Sequence, residues 1–377
     1  MAMMPAIKEL ERNNIPFDIF VPITTEETMW QSANECQEVA NCLEQNGFFP
    51  LRDLPENNKY DVLYSSSPGF YDEISRRNEI KYHVKYNYYA SATGKPPIYY
   101  AQSSLNYYDY ILCLCEPDAE AFSAHAKSYS VGNIKLANYR RNRTAPVGKK
   151  VILYLPTWGN AKESMSSISV DIVQKLLKLK EKYFITVKMH NITSFAKNEE
   201  ARRGLFDEFD KVYDASTPIA DILNDADVVL SDLSSAAFDA IAGDVPLALI
   251  GLGEPIYLGK KLCLHQQLVK DGIVPGSNNP NELETIIEKA LSSECFSKQQ
   301  KMKKDMFKYE GQECLEAFMK FQNDLFEDRV DAWYIAVRSA IRANQHSAIK
   351  EAYENSTSWK ITRPLRALSK FLKRKPK

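Results

Sequence analysis

The chain has 377 residues, 44% of them hydrophobic and 26% charged, with a formal net charge of −1. That length accommodates two domains, each with its own core, and the near-neutral balance argues against a nucleic-acid binder. The seven cysteines lack the spacing of a zinc set or a disulfide framework and fit a reducing compartment, while no apolar run approaches the ~20 residues of a membrane span.

Taken in order, Phe17 to Val21 and Phe48 to Leu51 read as early strands, with Thr25 to Asn46 a helix between them. Tyr60 to Tyr64 is a short strand ending in Ser65-Ser66-Ser67-Pro68-Gly69, a strand-to-loop switch of the kind a ligand uses. Glu79 to Tyr89 is rich in Tyr and Lys; Gly94-Lys95-Pro96-Pro97 turns the chain, and Pro97 to Tyr100 restarts a strand. Tyr110 to Leu114 is a strand and Glu116 to His125 a helix. The tyrosines between residues 82 and 110 each join a flat apolar body to a hydroxyl. They suit a sugar or acceptor cleft, with Ser66, Tyr88 and Lys95 as acceptor-side candidates. They suit equally a packed face between two layers.

Residues 136–149 are polar and basic, with Arg140, Arg141 and Arg143 near Pro146 and Gly148, and mark the interdomain linker. Beyond it the predicted strands are Lys150 to Leu155, Tyr183 to Lys188, Val212-Tyr213, Val228 to Leu230 and Pro246 to Ile250. Helices fall at Asp171 to Lys182, Glu199 to Phe209, Pro218 to Leu223 and Pro280 to Leu291. This alternation implies a parallel, doubly wound sheet. The first half alternates in the same way, more weakly. The expected fold is α/β and GT-B-like: two Rossmann-like domains facing a cleft, with C-terminal helices. The expected layout is 1–145 on the acceptor side, 146–295 on the nucleotide side, helices over 296–352 and a basic tail over 353–377.

In an open parallel sheet, ligands sit at the carboxyl ends of the strands. In the second half those ends carry Pro156-Thr157-Trp158, Lys188-Met189-His190-Asn191, Ser216-Thr217-Pro218, Asp232 with Ser234-Ser235, and Val274-Pro275-Gly276. Ser234 and Ser235 offer a phosphate hydroxyls, backbone N–H groups and the positive end of the helix that follows. The same residues suit an ordinary N-cap. His190 donates a hydrogen bond to a phosphate and, when protonated, neutralises the charge a departing phosphate develops; a lone histidine at a strand end also serves packing alone. Thr157, Lys188, His190, Asn191, Ser216, Thr217, Ser234 and Ser235 are therefore the candidate donor-phosphate residues. No Walker motif, no Gly-x-Gly-x-x-Gly after a strand and no Gly-x-Ser-x-Gly elbow is present. Asp225-Ala226-Asp227 enters its strand instead of leaving it, so it lies at the wrong edge to hold a metal under a nucleotide diphosphate. The expectation is a nucleotide-phosphate leaving group, with no metal and no cofactor.

From Lys360 to Lys377 the chain carries eight basic residues and no acid. Ile361, Leu365, Leu368, Phe371 and Leu372 recur among them at helical spacing, behind Trp359. Such a segment lies on an anionic membrane surface; it also suits a terminal helix packed on its own domain. The expected location is cytoplasmic, peripheral at the inner face of the plasma membrane.

The series Leu153 to Trp158, Val187-Lys188-Met189-His190, and Asp225 through Ser231-Asp232-Leu233-Ser234-Ser235 to Asp239 resembles the CDP-glycerol glycerophosphotransferase family of teichoic-acid and capsule synthesis. The resemblance covers about residues 150–290. It implies a GT-B fold and displacement of CMP from CDP-glycerol. The family's Trp-His-Gly setting in the N-terminal domain has no clean match; Tyr86-Asn87-Tyr88-Tyr89 stands there, with His83 nearby, and the family's His-Pro is His190-Asn191.

The chain also resembles the retaining β-Kdo transferase modules of bacterial O-antigen and capsule assembly, and the tail Ser358 to Arg366 resembles segments at the ends of glycosyltransferase modules in surface-polysaccharide systems. That resemblance implies CMP-Kdo as donor and Asp232 as a nucleophile forming a covalent sugar adduct, which the acceptor hydroxyl then displaces. His265 follows as a phosphate ligand or acid/base, against a plain helix-surface histidine. Kdo transfer to a surface polysaccharide or lipid-linked glycan is the reading carried forward. Glycerophosphate or polyol-phosphate transfer from a CDP donor is the alternative. A non-catalytic scaffold beside other synthase modules, favoured by the absent N-terminal His, is the third.

Overall fold

The computed structural model describes residues 2–21, 33–52, 60–66, 85–94, 97–100, 102–143, 148–157, 169–190, 193–194, 203–258, 260–327, 333–338, 340–341 and 355. Lys95, Asn191 and the tail from Lys360 lie outside them, as does His83.

The first half builds a sheet of four parallel strands in chain order: β1 (Val62–Ser65), β2 (Lys85–Ala90), β3 (Tyr110–Cys113) and β4 (Lys127–Ser130). One face carries Tyr86, Tyr88, Ile111 and Cys113 against Tyr100 and the helix Glu116–Phe122. Pro97–Tyr100 is a helical turn and not the expected strand; proline's fixed φ suits the first helical position. Phe17 to Val21 and Phe48 to Leu51 reduce to a single parallel bridge, Phe20 to Leu51, packed on the helix Ala33–Gln45.

The second half supplies β5 (Lys150–Leu155), β6 (Tyr183–Lys188), β7 (Lys211–Tyr213), β8 (Val228–Ser231) and β9 (Leu247–Ile250). A short hairpin follows, β10 (Tyr257–Leu258) with β11 (Lys261–Leu262), and then the edge strand β12 (Gly276–Ser277). The six-stranded order is β12-β9-β8-β5-β6-β7, all parallel. From β5 the chain winds outward through β6 and β7, then returns to lay β8 on the other side of β5. This is the doubly wound order, with its reversal between β5 and β8. Val228 to Leu230 are fully buried, as a continuous branched run in a two-sided parallel sheet requires. The helix Val170–Leu179 begins where the Ser169 hydroxyl accepts the Ile172 N–H at 3.2 Å, and it buries Ile172, Val173 and Leu176 on one stripe. The predicted helix over Glu199 to Phe209 is, in its described part, a 3-10 turn at Gly204–Phe206.

Besides a core cluster in each half, a third apolar cluster joins the two sheets. Tyr89, Leu112 and Leu114 of the first half share it with Leu153, Leu155, Val229 and Phe238 of the second. The helix Gln312–Phe326 covers the first sheet, with Phe318 5.4 Å from Tyr64 and Phe321 5.5 Å from Tyr110. The helix Ser293–Met306 covers the second; Gln299 donates to the Val245 carbonyl and accepts the Leu247 N–H.

Polar contacts fix the same junction. Asp239, 4% exposed, accepts from Asn133 at 2.7 Å and pairs with Lys135 at 2.7 Å. Arg141 donates to the carbonyls of Leu223, the last residue of the helix Ile219–Leu223, and of Ala226 just beyond it. The Arg143 guanidinium grips Asp227 at 2.8 and 3.1 Å, while Asp227 also accepts the Val151 N–H. Asp225 accepts from the Tyr213 hydroxyl at 2.9 Å. Both acids of the Asp-Ala-Asp triplet are thus committed to structure at the amino edge of the sheet.

Candidate active site

The chain's reversal between β5 and β8 sends the loops after these neighbouring strands in opposite directions and opens a crevice at their carboxyl ends. In this chain Thr157 and Asp232 stand just past those two strand ends. The register Leu155 to Ser231 sets the two strand ends level. The Ser231 hydroxyl donates to the Leu155 carbonyl at 2.7 Å and ties them together.

Asp232 is fully buried. The Thr157 N–H donates to both of its carboxylate oxygens, each at 3.0 Å, and the Ser234 N–H to Oδ1 at 2.9 Å. The carboxylate therefore points into the fold and fastens two loops. A nucleophile facing a donor carbon, the role expected of Asp232, needs an open approach; here three backbone contacts engage its oxygens.

His265 lies on the helix Leu264–Lys270 and is fully buried, so it is not a plain helix-surface histidine. Its Nε2 lies 2.8 Å from the Ser234 carbonyl, so Nε2 carries the proton. The ring packs edge-on against Phe238 at 4.8 Å. Its effect is on the Ser234 peptide, which it holds in place.

Ser234 is 7% exposed, and its hydroxyl accepts the Ala236 N–H at 3.3 Å, the capping role that sequence left open. Ser235, half-buried, is the N-cap residue of Ala236–Ala242 and makes no side-chain capping bond. Its hydroxyl is the better placed of the pair to meet a ligand.

On the other side of β5, Lys188 closes β6 and His190 follows two residues later. By the register Tyr154 to Val187, His190 stands about level with Thr157. His190 is half-exposed, and its carbonyl accepts both the N–H and the hydroxyl of Ser194, starting a helical turn. Lys188 reaches over β7 to donate to the Ala215 carbonyl at 2.8 Å. Burial pushes its ammonium below the ordinary lysine range, and nearby Asp214 offsets part of that. Ser216 is exposed, and both its N–H and hydroxyl donate to Asp214 Oδ1, which holds that carboxyl below its usual range. The Thr217 N–H donates to the Asp214 carbonyl. Thr157, Lys188, His190, Ser216, Thr217, Ser234 and Ser235 thus share one edge of the sheet.

Of the acceptor-side residues, Ser66 and Tyr88 are described. Ser66 is exposed just past β1. Tyr88 is fully buried, its hydroxyl bonded to that of Tyr99 and its ring 5.4 Å from that of Tyr108. Burial raises its phenol pKa. Tyr88 is core, a correction to the cleft reading: on β2 its face is the one the helices cover.

The sequence missed what crosses from the first half. The loop Ser91 to Gly94, leaving β2, meets the helix that starts after Ser235. Gly94 has φ +68°, and a Cβ there would sit 2.3 Å from Phe238 Cε2 and 3.0 Å from His265 Cε1. Asp118, 1% exposed, braces the loop from below. It accepts the Tyr100 hydroxyl at 2.6 Å and the Gly94 N–H at 3.5 Å, and burial raises its carboxyl pKa. The one signal available was a glycine in a turn, which does not say what it touches.

The arrangement offers an anion backbone N–H groups, hydroxyls, an imidazole and an ammonium. No cluster of His, Cys, Asp or Glu suited to a metal ion occurs among the described residues. Lys188 gives a pH test. Its folded pKa lies below its unfolded value, near 10.4, so in that window the unfolded chain binds more protons and stability rises with pH. A bound phosphate reverses the preference by stabilising the ammonium. Affinity for a phosphate probe at this edge should therefore fall as pH rises through the depressed Lys188 value, and Lys188→Arg should remove that fall. Calorimetric titration across alkaline pH checks this; an unchanged slope in the variant would separate Lys188 from the phosphate.

No curated protein matches the sequence. Among solved structures, a putative UDP-N-acetylglucosamine 2-epimerase from Listeria monocytogenes aligns at a TM-score of 0.55 and 13% identity, over 88% of this chain and 94% of that one. The wall teichoic acid polymerase TagF, as a variant soaked with CDPG, aligns at 0.54 and 15%, over 88% and 86%. The MnaA–UDP structure from S. aureus aligns at 0.52 and 13%, over 86% and 94%. At such identities the likeness is one of fold, and the fold is the GT-B-type arrangement of two parallel α/β sheets. Residues 128–310 match the family model of the CDP-glycerol:poly(glycerophosphate) glycerophosphotransferases. That span holds every strand end of the site on the second sheet, so the half that carries the candidate site is the half similar to this family.

Proposed function

We propose that the protein transfers a polyol phosphate of the glycerol phosphate class from a CDP-linked donor to a hydroxyl of a surface-polymer or lipid-linked acceptor, releasing CMP. The observation that carries this reading is the inward turn of Asp232 at the strand reversal. Transfer of Kdo through a covalent adduct needs a carboxylate facing the donor carbon, and this one faces two backbone N–H groups. The backbone N–H groups and hydroxyls along the same sheet edge suit phosphate. The match over residues 128–310 supports the same class of donor.

The chemistry follows from those groups. The acceptor hydroxyl gives its proton to solvent, its oxygen bonds to the donor's distal phosphorus, and the bond from that phosphorus to CMP's bridging oxygen breaks. Charge grows on the departing CMP. Ser235, the amides at the start of Ala236–Ala242, His190 and Lys188 take up that charge where it develops. No metal or cofactor is part of this proposal.

The test is a donor labelled on its distal phosphorus. Label should pass from CDP-glycerol into acceptor product, and His190→Ala should lower kcat about a hundredfold, the scale of one lost stabilising donor. Consumption of CMP-Kdo with no phosphorus in the product would end the proposal. A binding-only module is the second reading, favoured by β2's exit loop: Ser91 to Gly94 holds no imidazole or carboxylate to serve as base. CMP binding without turnover of either donor would select it. No helix among the described residues is long and apolar enough to cross a membrane.

A further inference from the structure

A cavity of about 690 Å³ opens on the far edge of the first sheet, along β4 and the start of the helix-to-helix turn at Lys308-Tyr309. None of its lining residues belongs to the site above. Tyr129 and Phe321 form one wall, with ring centroids 5.6 Å apart, and Tyr129 is 43% exposed. Lys308 lies 5.3 Å from the Tyr309 ring centre and makes no ion pair among the described residues. Among the described residues Lys320 is tied only to Asp324 on its own helix, at 3.0 Å, and is largely exposed, so an incoming anion can share it. Ser130 is 9% exposed, and its hydroxyl has no hydrogen-bond partner among the described residues.

The chemistry of that lining selects a ligand. Aromatic faces pack on the C–H surfaces of sugars and polyols, and lysines meet phosphate as point charges. An added peptide strand is disfavoured, because the N–H of Lys127 at the start of β4 is already taken by the Tyr334 hydroxyl at 2.9 Å. Position matters as well. The four strands are parallel, so the Ser130 end of the cavity opens at the same sheet edge as the loop Ser91 to Gly94. A chain lying in the cavity leads along that edge toward the strand reversal of the second sheet.

We propose that this cavity is a second, non-catalytic subsite that holds a distal phosphate-bearing polyol or sugar unit of an elongated acceptor. The proposal rests on the phosphotransfer reading for its biological sense, but its binding test does not need turnover. The probe is a short oligo(glycerol phosphate), titrated calorimetrically into the full chain, beside glycerol 3-phosphate and a neutral dextran of similar length. The oligomer should bind and the dextran should bind far more weakly. Lys308→Glu, at an exposed position, should weaken oligomer binding about tenfold while leaving CMP affinity and the thermal midpoint unchanged. Tyr129→Ala should act in the same direction. In the transfer assay Lys308→Glu should raise KM for the oligomer, with kcat and the KM for a single-unit acceptor unchanged. Equal oligomer affinity in wild type and Lys308→Glu, or tighter binding of dextran, overturns the subsite. Binding that depends on Lys308 in a protein with no transfer activity would leave the subsite standing and remove the phosphotransfer reading.

Discussion

Asp232→Ala should lower stability by about 3 kcal/mol and weaken CMP binding together, because both depend on the same carboxylate. Asp232 is buried and satisfies the N–H groups of Thr157 and Ser234. Alanine leaves both donors without that acceptor inside the fold, and each orphaned buried donor costs roughly 1–3 kcal/mol. The two loops it fastens carry the residues on either side of the crevice. Freed of the link, the Ser234-Ser235 amides lose the arrangement that makes them an anion site. Asp232→Asn should do less harm, since its amide oxygen still accepts while its NH₂ opposes a donor. Denaturant titration and CMP calorimetry on the three proteins check the order. A folded Asp232→Ala protein with wild-type CMP affinity and no turnover would return Asp232 to the role of nucleophile.

What could be read from the sequence followed from burial. β5 and β6 fall where their apolar runs placed them, and β8 extends its run by Ser231, because strands covered on both faces must be continuously apolar. Parallel pairing then places Thr157, His190 and Asp232 at one edge without further information. β4, Lys-Ser-Tyr-Ser, escaped notice for the opposite reason. It is an edge strand with polar residues, defined by pairing Tyr110 to Lys127 and Cys113 to Ser130 and not by its own hydropathy. The tyrosines defeated the sequence reading too, since Tyr86, Tyr88 and Tyr108 bury their rings with only the hydroxyl to accommodate.

Side-chain direction just beyond a strand end was not legible. Periodicity fixes facing inside β8, but Asp232 has left the pleat, and its rotation is set by the N–H groups waiting on a neighbouring loop. His265 shows the same limit. Leu264 and Leu268 mark a half-buried helix, yet only the approach of Phe238 and Ser234 decides that the imidazole turns inward. Contacts between the halves, of which Gly94 against Phe238 is the closest to the site, depend on how two sheets dock and leave no local trace.

Gly94→Ala tests that docking. The residue sits at φ +68°, where a side chain costs about 1–2 kcal/mol. Its new Cβ would lie 2.3 Å from the Phe238 ring, so the ring or the loop must move. Overpacking of this kind costs about 1–3 kcal/mol more. The summed loss, about 3 kcal/mol, should be readable as a lower denaturant midpoint with an unchanged slope. Activity should fall further than stability alone explains, because Phe238 packs on His265 and His265 holds the Ser234 peptide. Phe238→Leu in the Gly94→Ala background separates the two costs. The smaller side chain relieves the contact but not the backbone strain, so the pair should couple by about 1 kcal/mol or more in a double-mutant cycle. Additive losses would mean that the loop and the helix do not touch in solution. In that case Gly94 would matter only as a turn, and the two halves of the site would be set by the remaining junction, Asp239 with Asn133 and Lys135.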